Sequence, residues 1–117
     1  MTVGASEQPL IPQPPATVAA LRQAIAQVAP AALPAFTREL DQAADQARLG
    51  SDIAPLQRFI RQWSVYVHIQ RQPALADRFH RLEEQARDGD AAEVRAAASE
   101  IGRILDAAHA ALAEARS

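Results

Sequence analysis

The chain contains no cysteine, no lysine and no asparagine, and each absence removes something. Without cysteine there is no disulfide framework, no thiolate nucleophile and no zinc–thiolate site, which suits a reducing compartment. Without lysine, all 12 basic residues are arginine, a bias that GC-rich coding accounts for with no binding role. The arginines are scattered among 14 acidic residues and leave a net charge of −2. That pattern lacks the basic patch by which proteins hold nucleic acid through general electrostatics. No apolar run approaches the roughly 20 residues that span a bilayer, and Met1–Pro15 has neither the basic start nor the continuous apolar stretch of a signal peptide. A cytoplasmic protein is expected.

Glycine is scarce too, at 4 residues, and β-branched residues are few outside one central stretch, while alanine makes up about a quarter of the chain. This is the composition of helices by intrinsic propensity. The 117 residues suffice for one domain with one modest core. The expected fold is all-α, a small bundle of about five helices.

The residues from which a core is built concentrate in Ser51–Gln72, which holds the single Trp, the single Tyr and one of the three Phe. Read as a helix opened by Ser51 or Asp52, this stretch places Ile53, Leu56, Ile60, Trp63 and Val67 on one face, with Phe59, Tyr66 and Ile69 beside it. A helix apolar around so much of its circumference is central in a bundle or covered by a partner. Trp63, Val65, Val67 and Ile69 also alternate with polar or smaller residues, as a strand would. Helix is favoured, because no second β-rich run exists to satisfy a lone strand's backbone groups.

Taken in order, residues 1–16 carry half of the prolines and read as a flexible, Pro-rich tail. Residues 17–117 read as a single helical domain. Thr17 caps a first helix with Val18, Leu21, Ile25 and Val28 inward, stopped by Pro30. A second helix starts near Pro34, turns Phe36, Leu40, Ala43 or Ala44, and Ala47 inward, and ends at Gly50. Its other side bears Arg38, Asp41, Asp45 and Arg48, alternating charges typical of a solvated face. Beyond Pro73 a fourth helix presents Leu75, Phe79, Leu82 and Ala86. After Gly89, Asp90 and Glu93 form a capping-box start for a last helix reaching about Ala115. Its stripe is Val94, Ala97 or Ala98, Ile101, Leu105, Ala108 and Leu112, with Ile104 and Ala111 widening it. The short joint predicts an antiparallel hairpin over about 74–115. Because the fourth helix is the shorter, the end of the last one should overhang unless the first helix or a second chain covers it.

The search for chemistry yields little. There is no Gly-rich phosphate loop, no nucleophile elbow and no zinc-protease motif. Asp77, His80 and Glu84 share a helix face and offer a carboxylate, an imidazole and a carboxylate to a metal, but the paired Glu-x-x-His motifs of a bundle di-iron site are missing. His68 and His109 have no nucleophile at a telling spacing. A helix-turn-helix over Leu75–Arg95 fails on the acidic joint at Asp88 and Asp90 and on a second segment with one Arg against one Glu.

Between Phe36 and Trp63 the pattern F-x-x-E-L-x-x-A-x-x-x-A followed by D-I-A-P-L-x-x-F-I-x-x-W resembles a family of small, mostly uncharacterised helical proteins of actinobacteria. The matching residues are Phe36, Glu39, Leu40, Ala43, Ala47, Asp52, Pro55, Leu56, Phe59, Ile60 and Trp63. The resemblance implies a bacterial, antitoxin-like or regulatory role and transfers no catalytic residue.

The functional expectation is therefore a non-enzymatic protein–protein interaction module with no cofactor and no bound metal. The alternatives are a small enzyme or metal protein centred on His80, and a structural homodimer formed by the end of the last helix. The candidate interface residues are Arg58, Arg61, Trp63, Tyr66, Ile69, Ile104, Leu105 and Leu112, because aromatic side chains and Arg carry much of interface energy. The expected partner is a protein, with self-association included.

Overall fold

The computed structural model describes residues 8–115. Among them are five α-helices and one 3₁₀ turn: α1 Val18–Val28, the turn Pro30–Ala32, α2 Leu33–Gly50, α3 Ala54–Gln70, α4 Pro73–Asp88 and α5 Ala91–Ala115. No described residue is in a strand, so Trp63–Gln70 is helical and the strand alternative is excluded. The helices form two compact units. One is Ile11–Val67, and the other begins at His68 and takes in Leu10.

In Ile11–Val67 the helix boundaries follow from local chemistry. The Thr17 hydroxyl accepts a hydrogen bond from the Ala20 amide at 3.2 Å and so caps α1. Pro30 ends α1 by opening the 3₁₀ turn, and Pro34 stands in the first turn of α2, where its missing N–H has no helical partner to lose. The end of α2 departs from the expectation. Gly50 remains helical, and Ser51 takes the left-handed position at φ 51°. The Asp52 amide donates to the Ala47 carbonyl at 3.0 Å and the Ser51 amide to the Arg48 carbonyl at 3.4 Å, the paired bonds of a Schellman motif. Asp52 then accepts from the Ala54 amide at 3.0 Å, which sets the start of α3. Ile53 therefore lies before α3 and is 63 % exposed. Its expected place on the core face is corrected, because the turn uses that residue to change direction.

The core of this unit centres on Phe36. Leu21, Ile25, Phe36 and Val67 are fully buried. The Phe36 ring lies 5.0 Å from Phe59 and 5.2 Å, edge-on, from Trp63. Such aromatic pairs add roughly 0.5–1.5 kcal/mol each beyond the area they bury. The Arg22 guanidinium carbon stands 5.5 Å from the Phe36 ring centroid and screens that side of the core. Ile11 packs on this cluster, and the Gln13 side chain donates to the Ser64 carbonyl at 3.3 Å.

The described part of the Pro-rich tail, residues 8–16, has neither helix nor strand, yet these contacts hold it in place. Flexibility over residues 1–7 was also expected, and those residues lie outside the described ones.

In the other unit the Leu10 amide donates to the Arg71 carbonyl at 2.7 Å, and α4 and α5 form the expected hairpin. The Asp90 carboxylate accepts from the Glu93 amide at 2.8 Å while Glu93 accepts from the Asp90 amide at 2.9 Å, a reciprocal capping box. Arg78 on α4 pairs with Glu100 on α5. The expected inward residues of α4, Leu75, Phe79, Leu82 and Ala86, are only half-buried, and α4 has no fully buried residue. On α5 the buried residues are Ala97, Ile104 and Ala108, whereas Val94, Ile101, Leu105 and Leu112 are half-buried. The covered stripe is thus turned toward the Ile104 side. Because Ile104 and Ala108 are buried within the single chain, that part of α5 does not overhang uncovered. Among the described residues no helix is long and apolar enough to cross a membrane.

Candidate functional site

The three-residue turn at Ser51–Ile53 sends α3 back along α2, and Trp63 on α3 meets Glu39 on α2, the indole N–H donating to a Glu39 carboxylate oxygen at 3.0 Å. Between the two helices runs an open groove of about 350 Å³. Its floor is Ala43 and Phe59, both buried in the core. Its walls are Arg38, Glu39, Gln42 and Gln46 from α2 and Pro55, Arg58 and Gln62 from α3. Arg38, Gln42, Gln46 and Leu49 recur at intervals of four, four and three, so they share one side of α2. Leu49 is 90 % exposed, as against 63 % for Ile53 just across the turn. Two large apolar side chains thus stand in water on a turn whose backbone is held by the Schellman bonds and the Asp52 cap.

A second depression, about 520 Å³, lies along α4 and the start of α5, bounded by Arg78, Arg81, Glu84, Asp88 and Glu93 among others. Its charges are of both signs, and two are engaged inside the hairpin, Arg78 with Glu100 and Glu93 in the capping box.

The candidates chosen from the sequence separate. Arg58 and Arg61 are exposed, with Arg58 on the groove. Tyr66 is half-buried, edge-on to Trp63 at 5.0 Å between ring centroids. Trp63, Ile69 and Ile104 are buried in the chain's own fold, which makes them structural, because a partner reaches them only by unfolding what covers them. Leu105 and Leu112 are half-buried on α5. Leu49 and Ile53 were missed. Leu49 had a legible signal, since it falls off the Phe36, Leu40, Ala43, Ala47 stripe, while Ile53 had none once it was assigned to a helix.

No group of three or more His, Asp or Glu side chains among the described residues is placed to hold a metal ion. His80 is exposed, and its Nδ1 lies 3.6 Å from Glu83, a residue outside the Asp77, His80, Glu84 set. His68 differs, because burial, aided by the neighbouring Arg71 charge, holds its pKa below 6.5. Both effects favour the neutral imidazole.

The chain belongs to a family of unknown function (DUF6247), whose model matches residues 7–116. No curated protein and no solved structure shows significant similarity to it.

Proposed function

We propose that this member of the family is a non-enzymatic protein-interaction module that docks a partner through the α2–α3 turn. The observation that carries the reading is the exposure of Leu49 and Ile53 on a backbone fixed by hydrogen bonds. Scattered exposed apolar residues need no explanation. Here two lie at either end of a turn that loses little conformational entropy on binding because its backbone is already ordered. Covering a Leu or Ile side chain fully contributes roughly 1.5–3 kcal/mol, so this pair supplies an anchor, and the exposed Arg58 and Arg61 extend it. The finer reading, a regulatory or antitoxin-like partner, requires only such a docking surface and no catalytic residue.

The test is a pull-down from the source organism with wild-type protein and with the Leu49→Ser, Ile53→Ser double variant, bound proteins being identified by mass spectrometry. Partners retained by the wild type and lost by the variant, at an unchanged melting temperature, support the reading. Identical partner sets refute it.

Self-association is a second reading, favoured by α5 extending over 25 residues against 16 for α4 with Leu105 and Leu112 half-exposed toward its end. Sedimentation equilibrium at micromolar concentration decides it, a strictly monomeric mass removing the homodimer.

A further inference from the structure

Resting on the docking reading of the α2–α3 turn, we infer that the groove between α2 and α3 accepts an acidic peptide segment of the partner, its carboxylates meeting Arg38 and Arg58. Three observations lead there. Arg48, Arg78, Arg87 and Arg103 pair with acids of the chain, whereas Arg38 and Arg58 have no ion-pair partner among the described residues. The groove's single acid, Glu39, accepts the Trp63 indole N–H, and with two Arg against one Glu the lining carries +1 in a chain of net charge −2. Guanidinium groups recognise carboxylates through two parallel hydrogen bonds, which gives an acidic segment both charge and geometry to match.

The remaining polar walls point to a peptide. Gln42, Gln46 and Gln62 make no side-chain hydrogen bond among the described residues, and each amide both donates and accepts, the pairing that a peptide main chain needs. The row from Arg38 to Leu49 on α2 leads along the groove to the exposed apolar turn, so the matching segment combines acidic residues with apolar ones. Asp41, Asp45 and Asp52 are exposed outside the groove lining, where a phosphate backbone extending past the groove would meet them, whereas a short acidic segment confined to the groove meets Arg38 and Arg58.

The experiment uses the full chain and a short fluorescein-labelled peptide of alternating leucine and glutamate. Controls are the same peptide with lysine in place of glutamate and a labelled oligothymidylate of similar length. The wild type is expected to bind the glutamate peptide, with ¹H–¹⁵N shifts centred on the Gln42, Gln46 and Gln62 side-chain amides. Arg38→Glu with Arg58→Glu is expected to weaken binding by at least about tenfold, whereas Arg81→Glu, outside the groove, leaves it unchanged. Absence of glutamate-peptide binding overturns the inference, and so do equal binding of the lysine peptide, shifts that map elsewhere, or oligothymidylate binding lost in the same double variant. The two readings fail separately. A native partner lost with Leu49→Ser, Ile53→Ser but kept with Arg38→Glu, Arg58→Glu leaves the turn and removes the groove, and the reverse pattern leaves the groove and removes the turn.

Discussion

The Trp63 indole N–H donates to Glu39 at 3.0 Å, and the same ring meets the buried Phe36 edge-on at 5.2 Å, so one side chain ties the polar and the apolar seams of α2 and α3. Removing the acceptor strands a half-buried donor, which costs about 1–2 kcal/mol. Glu39→Ala is therefore expected to lower the urea midpoint, while Glu39→Gln, which keeps an acceptor oxygen, loses less. A double-mutant cycle with Trp63→Phe checks the assignment, because the two losses should be less than additive.

Gly89 ends α4 at φ −77°, so its value is space rather than a left-handed backbone. A Cβ there would stand 2.7 Å from the Gln85 carbonyl oxygen and 2.8 Å from the Glu93 Cβ. Gly89→Ala is expected to destabilise by about 1–3 kcal/mol through overpacking. Asp90→Ala, which removes the helix cap, should cost about 1 kcal/mol. Thermal unfolding followed by circular dichroism measures both.

The end of α2 is built the opposite way. Gly50 is helical with no atom within 4 Å of an added Cβ, and Ser51 occupies the left-handed position that favours glycine. Gly50→Ala should stabilise by up to about 1 kcal/mol, and Ser51→Gly should change stability by less than about 1 kcal/mol in the favourable direction. Urea midpoints above wild type in both variants are the expected result. A loss in Ser51→Gly would show that the serine contributes more than its backbone angle.

His68 links stability to pH. Its folded pKa lies below the unfolded 6.5, so between those values the unfolded chain binds more protons. The contribution is fully present above pH 6.5 and is lost as pH falls through 6.5 toward the folded value. Urea midpoints measured from pH 7.5 down to 5 should decline, and His68→Gln should decline less. Parallel curves would mean that His68 is not the group responsible.

Alanine content, the apolar spacing of each helix and the capping residues were enough to specify an all-α fold with the five helices found among the described residues. Thr17 and the Asp90–Glu93 box act through hydrogen bonds to residues a few positions away, and Pro34 through its own ring and missing N–H, so all three can be read without knowing the fold. The Ile53 reading failed because helical periodicity continues smoothly through a residue that the Asp52 turn had already removed from the helix. Burial rank was equally illegible. Phe36 and Trp63 are both apolar and on stripe, yet it is the packing of α1, α2 and α3 that makes Phe36 the fully enclosed ring.

The groove belongs wholly to tertiary structure. Arg38, Gln42 and Gln46 read as an ordinary solvated helix face until α3 returns alongside them with Arg58 and Gln62. By itself the sequence determined which segments are helical, because propensity, periodicity and caps are local interactions. The exposure of Leu49 follows from its place off the α2 stripe, whereas only the tertiary structure decided that Trp63, Ile69 and Ile104 are interior and that Ile53 faces water. Their exposure depends on which distant segment lies against a side chain, and no local signal carries that.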